Sequence, residues 1–490
     1  MYNLKDKKNS VFKSFLEYFY GNFIVLLLGF ISLPLITRVM TEAEYGRTAM
    51  FQSVVSVVYI FAILGLDQGY IRFFYKENIS RKKLFYQCLF PALTLMLFVS
   101  AVYFVFSSTF NGFLFERHGL DITLLVVGYA ITSIFERFLF LNIRMDQNGK
   151  LYSNLNILSK VLYITFIVLF VKILGDDFRV VLYALTLPLV FVTIGLMIRF
   201  LVKNKDEKVS LLKSSNGDIT EKELLAYSIP FIPMLLMEWL LSSMDRWSIR
   251  IFNDFSQIGI YSAAMQIMVI ISTIKITFVA FWSPIAMEKY EKETEDVCKP
   301  FFADMFDKVQ FLCVSIAFLL TSFRGIVVLI LGERYRSAIR IIPFLAFMPI
   351  LSLLFEMTGQ GVKFVKKVKY FNYASFVAII CNLVGNTLLV PRFKGVGAAL
   401  ATAITYIVYF CIGTYFANKC YPVAYRFKNF VISLLIYSGY AVYATLTENQ
   451  LISFVVGITV FLIHCLVNKG VLTSLVKLAV DTLNNMRKKA

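Results

Sequence analysis

Four basic side chains stand in runs otherwise suited to hydrocarbon: Arg137 in "TSIFERFLFLNIRM", Lys160 in "NLNILSKVLYI", Lys275 in "QIMVIISTIKITFVAFW" and Arg324 in "FLLTSFRGIVVLIL". A charge near the middle of a membrane helix costs about 2.5–3.5 kcal/mol on insertion scales, so such residues face a bundle interior or a wet cavity. Ammonium and guanidinium groups there are natural partners for a phosphate or pyrophosphate, whose oxygens accept charge-assisted hydrogen bonds. Lys275 and Lys160 both fall inward of the middle of their runs, Lys275 by roughly 6 Å. Arg137 and Arg324 lie nearer the ends. The acids in comparable runs are Glu238, Asp245 and Glu356.

Lys275 has three readings at this stage. It lines a substrate cavity, it forms a structural pair with Glu238, or it snorkels to the interface. Glu238, Ser242 and Asp245 share one helical face, so an acid is available to it. Glu136–Arg137 reads as an interfacial pair and Asp245–Arg246 as a structural one. Asp67, in "GLDQG", has no role that its neighbours reveal.

Other chemistry is not signalled. Seven cysteines show no CxxC spacing and mostly fall in apolar runs, as small core residues do. His118 and His464 are too few and too far apart to suggest a metal site, and no cofactor is expected. No G-x-x-x-x-G-K-[ST] sequence for nucleotide binding occurs.

These side chains need positioning elements, and composition says which kind. The 490 residues are 58% hydrophobic and 16% charged, with mean hydropathy +0.71. A soluble domain carries about 25% charged residues. Apolar runs of about 20 residues recur throughout, predicting an all-α integral membrane protein of about fourteen spans, the first near 15–37 and the last near 450–468. The lysine-rich start is expected to lead into a retained first span.

The formal charge of +18 would suggest nucleic acid in a soluble protein. Here alternate connections hold roughly two-thirds of the Lys and Arg, which predicts a multi-pass protein of the cytoplasmic membrane with both termini inside. Nucleic acid is not an expected partner. External connections are short, which argues against a membrane enzyme built on an external loop. Proline pairs Pro230/Pro233 and Pro343/Pro349 mark expected bending points. A faint repeat relates "EAEYGRTAMFQSVV" to "FSQIGIYSAAMQIMVI", aligning Gly46 with Gly259 and Gln52 with Gln266. The expected organisation is a six-helix lobe at 1–200, a cytoplasmic linker at 201–223, a second six-helix lobe at 224–418, and two additional helices with a tail at 419–490.

The stretches "LPLITRVMTEAEYGRTA" (33–49), "GLDQGYIRFFYKE" (65–77), "SMDRWSIRIFNDFSQIGIYSAA" (243–264), "LGERYRSAIRIIPFLA" (331–346) and "LVPRFKGVGAALATAITY" (389–406) resemble the polysaccharide biosynthesis transporters. These are Wzx-type flippases in the superfamily that also holds MATE drug exporters and lipid II flippases. The resemblance covers nearly the whole chain. It implies two lobes in a V arrangement that rock between inward-open and outward-open states. It implies a cargo of undecaprenyl-pyrophosphate-linked oligosaccharide, carried for capsule, exopolysaccharide or O-antigen assembly. Membrane lipid and the polysaccharide polymerase machinery are the implied partners of a monomeric protein. The family's cationic lumen makes Lys160, Lys275, Arg137 and Arg324 the candidate substrate contacts.

A MATE-type exporter of drugs or organic cations is the competing expectation on the same fold. An acidic cavity would suit that cargo. The basic residues in the spans favour an anionic one instead.

Overall fold

The computed structural model describes residues 4–76, 80–204 and 219–489. Most of the expected linker at 201–223 lies outside these, at 205–218, as do the first three residues. The described chain is helical throughout. Twelve of these helices are long and apolar enough to cross a membrane, or thirteen if the bent pair Glu333–Arg340 and Ile342–Thr358 forms one span. The sequence had suggested about fourteen runs.

Local chemistry sets the helix boundaries. Thr41 accepts a hydrogen bond from Glu44 N at 3.3 Å, Ser80 from Lys83 N at 3.1 Å, and Asp254 from Gln257 N at 2.9 Å. Each side chain satisfies one of the donors that a helix start leaves orphaned. The repeat noticed in the sequence falls on two helices begun this way, Glu42–Ile63 and Phe255–Lys292. The two proline pairs differ, and only the second lies beside a sharp bend. A 3-10 turn at Ile229–Phe231 precedes the helix Ile232–Phe252, and the pair containing Pro343 and Pro349 bends by 57°.

The helical run Lys369–Cys420 would be about 78 Å long if straight, against a hydrocarbon core of about 30 Å. It turns at Lys394, whose backbone is left-handed (φ 52°, ψ −133°). Just beyond, a Cβ on Gly397 would stand 2.4 Å from the carbonyl oxygen of Leu389, so only glycine permits this close return.

The chain divides into two compact units, Met1–Ser243 and Met244–Ala490. In the first, Phe85 stacks on Phe200 at 4.2 Å between ring centroids, and Tyr70 sets its edge against Phe85 and Phe138. A smaller cluster joins Ile36 and Met40 to Ile167, Val180, Val181 and Ala184. One rim is tied by Glu44, which receives Arg47 at 2.6 Å, Arg117 at 3.1 Å and the Phe178 amide at 3.0 Å. By contrast, the helix Gly149–Leu174 buries only Gly149, Ser153 and Ile167, leaving an apolar surface suited to lipid.

In the second unit, buried Trp282 stacks between Phe278 and Phe301. Its last two apolar helices, Phe427–Leu446 and Gln450–Val467, pack on Glu295–Ser322 through a polar seam. There Gln310 donates to Asn468 at 3.0 Å, and Asn468 donates to Ser433 at 3.0 Å. His464 lies 2.9 Å from Ser433 and stacks on Phe311. Among apolar helices, such bonds help set which neighbour packs where.

Candidate functional site

The first unit holds a cavity of about 660 Å³ lined by side chains from three helices. Glu42–Ile63 contributes Gln52, Ser56 and Tyr59. Leu120–Met145 contributes Tyr129, Ser133, Glu136 and Arg137. Gly149–Leu174 contributes Tyr152 and Asn156. Spacings of three and four residues put each set on one helical face.

Arg137 is the cavity's cation, and its partner is Asp67 rather than the adjacent Glu136. Arg137 Nη2 donates to Asp67 Oδ2 at 2.6 Å. Neighbouring residues on a helix point in different directions, so Glu136 and Arg137 do not face each other. Asp67 is positioned by a sharp break. Leu64 and Gly65 are both left-handed (φ 52° and 67°), and a Cβ on Gly65 would lie 2.3 Å from the Ser228 carbonyl oxygen. The new helix Leu66–Phe73 then buries Asp67, which also accepts from the amide and side chain of Gln68. The "GLDQG" turn therefore anchors the cavity's arginine.

Lys160 does not line this cavity. Its ammonium lies 4.5 Å from the ring centroid of Tyr163, one turn further along the same helix.

In the second unit Lys275 is half-buried, and the carboxylate that meets it is Glu356. The sequence had pointed to Glu238, which belongs to the first unit and is exposed. Glu356 Oε1 lies 3.6 Å from Lys275 Nζ, and Oε2 accepts from Lys363 Nζ at 2.9 Å. Two ammonium groups thus share one carboxylate, and one positive charge is left over. The short helix Gln360–Phe364 brings Lys363 to Glu356.

Asp245 is 1% exposed and is not paired with Arg246, which donates to Ser262. Its Oδ1 accepts from Asn382 at 3.2 Å and Asn386 at 2.8 Å, and its Oδ2 from Thr402 at 2.6 Å and from the Tyr261 hydroxyl. Four neutral donors from three helical segments converge on one carboxylate, and the hairpin at Lys394 brings Thr402 back beside Asn382 and Asn386. Hydrogen bonding of this density is what makes a buried carboxylate tolerable.

Arg324 is 1% exposed, and none of its guanidinium nitrogens has a hydrogen-bond partner among the described residues. It opens the short helix Arg324–Val328 and lines neither the cavity of the first unit nor the Lys275–Glu356–Lys363 triad.

The fold is one shared with solved membrane transporters. It superimposes on the lipid II flippase MurJ in an inward closed conformation with a TM-score of 0.68, at 13% identity, covering 91% of this chain and 97% of the other. It also matches the MATE multidrug transporter DinF-BH, with a TM-score of 0.55 at 16% identity over 84% of this chain and 95% of the other. The family described as Polysaccharide biosynthesis protein matches residues 11–289, more than half of the chain, and the chain belongs to it. A similar protein is the probable low-salt glycan biosynthesis flippase Agl15 of Haloferax volcanii. It is 20% identical over 452 residues, covering 91% of this chain and 93% of the relative. The chain is therefore a multi-pass membrane protein of the polysaccharide biosynthesis family, with a fold shared by these transporters.

Proposed function

We propose that this protein flips an undecaprenyl-pyrophosphate-linked oligosaccharide repeat unit across the cytoplasmic membrane by alternating access. The cargo would serve capsule, exopolysaccharide or O-antigen assembly. The carrying observation is the triad Lys275–Glu356–Lys363, which keeps one uncompensated ammonium half-buried in an apolar helix bundle. Such a charge is costly unless an anion meets it, and a pyrophosphate does so with several oxygens. Membership of the polysaccharide biosynthesis family and similarity to a glycan biosynthesis flippase support the same cargo. Lys160 is the corresponding candidate cation of the first unit.

The proposed organisation is two six-span lobes and two additional helices, with both termini cytoplasmic. A count of fourteen passes draws support from the turn at Lys394, which makes two helices of Lys369–Cys420. The protein acts as a monomer in membrane lipid, alongside the polymerase machinery, and without nucleic acid.

The test is gene deletion followed by analysis of lipid-linked glycan on each leaflet. Repeat units trapped on the inner leaflet are expected. Normal surface polysaccharide in the deletion strain sinks the proposal. A second reading, export of organic cations, is favoured by one observation, the Glu136 carboxylate in the first unit's cavity. Under that reading the deletion strain loses resistance to cationic dyes while its surface polysaccharide is unchanged.

A further inference from the structure

The cavity of the first unit differs in charge from what a pyrophosphate site requires. Its cation, Arg137, is already neutralised by Asp67. Glu136 lines the same cavity and makes no hydrogen bond or ion pair among the described residues. Counted as ionised groups, Asp67, Glu136 and Arg137 together leave one net negative charge, and no lysine is among the residues that line the space. Bringing a phosphate here would set like charges together in a site partly screened from water.

What the cavity offers instead is suited to hydroxyl groups. Gln52 and Asn156 supply neutral donors and acceptors, Ser56 and Ser133 supply acceptors while their protons go to the Gln52 and Ala130 carbonyls, and Glu136 is a strong acceptor for O–H and N–H groups. Tyr59, Tyr129 and Tyr152 add rigid ring faces and polar tips, the mix by which apolar and hydroxylated faces of one ligand are gripped together. The volume of about 660 Å³ is within the roughly 300–1,000 Å³ typical of small-molecule pockets.

We infer that this cavity binds the glycan portion of the cargo, and that the sugars it takes are neutral or carry a basic amino group, while acidic sugars are rejected. The inference rests on the flippase reading and adds to it the chemical class of sugar that the first unit's cavity accepts.

Purified full-length protein in lipid nanodiscs can be titrated with three trisaccharides of matched length, following saccharide signals by saturation-transfer NMR. Chitosan trisaccharide, carrying free amines, should bind tightest, its N-acetylated counterpart more weakly, and trigalacturonate not measurably. This comparison needs no variant. Glu136→Gln should then weaken the chitosan trisaccharide about tenfold while changing the N-acetylated one by less than about twofold. Equal or tighter binding of trigalacturonate overturns the inference, as does an unchanged chitosan affinity in Glu136→Gln. Binding of ethidium with no saccharide signal also overturns it, in favour of an organic-cation site. The deletion experiment separates the two levels. Lipid-linked glycan trapped inside, without the amino-sugar preference, removes only this assignment, whereas loss of both removes the flippase reading as well.

Discussion

The Asp67 carboxylate and the Arg137 guanidinium, 70 residues apart in sequence, meet at 2.6 Å. Asp67 is almost fully buried, while Arg137 keeps part of its surface at the cavity. Removing the acid leaves the guanidinium with only partial solvent contact to replace its partner. Asp67→Asn should destabilise the protein by about 3 kcal/mol, near the lower end of costs for breaking a buried pair, because Arg137 keeps partial exposure. Thermal unfolding in detergent reads this directly. Arg137→Lys should recover part of the pair and Arg137→Leu none of it. Equal melting of all three and the wild type would show that the pair contributes nothing.

The triad makes a prediction about charge rather than shape. Lys275→Gln leaves Glu356 and Lys363 neutral overall, so transport should fall at least about tenfold, the worth of one charge-assisted hydrogen bond. Glu356→Gln adds to the net positive charge and should retain more transport than Lys275→Gln. The exchange Lys275→Glu with Glu356→Lys keeps the total and should restore protein level and most transport. Level and transport are scored separately, by membrane immunoblot and by flipped lipid-linked glycan. Restored level without transport would mean that the ammonium at 275 is needed in its own position.

Asp245 holds four neutral donors at once. Replacing it with Ala strands them in a buried site, at an expected cost of about 3 kcal/mol or more. Asp245→Asn should recover only part of this, because its amide NH2 must face groups that are already donating. Urea or thermal unfolding of purified variants checks the order, wild type above Asn above Ala. An Asn variant as stable as the wild type would show that the negative charge itself is dispensable for folding.

Orientation is testable at the turn after Gln360–Phe364. Lys366 has a left-handed backbone (φ 56°) and is exposed, so a cysteine there is accessible from whichever side the turn faces. In a background free of other cysteines, Lys366→Cys should react with a membrane-impermeant maleimide only after the cytoplasmic side is opened. Labelling in intact cells would invert the proposed topology.

The membrane class of the protein was legible in the residues alone. Burying backbone polar groups in hydrocarbon demands long apolar helices, and the chain is written almost entirely in such runs. The bend beside Pro343 was legible for a similarly local reason, since proline removes a donor where it stands, whereas Pro230 and Pro233 fall at a 3-10 turn within one span. Charges in the spans were also visible, because hydropathy marks them wherever they fall.

Which charge meets which was decided only by tertiary structure. Glu136 stands next to Arg137 in sequence, yet helical geometry turns them apart and a glycine-led break delivers Asp67 instead. Glu238 was a plausible partner for Lys275 by position along its helix, but the bent segment brings Glu356, and the short helix after it brings Lys363. Asp245 gathers its donors because the chain doubles back at Lys394, setting Thr402 beside Asn382 and Asn386. Periodicity says which face of a helix a side chain occupies. It carries no information about which neighbour that face will meet, and ion pairs are made between neighbours.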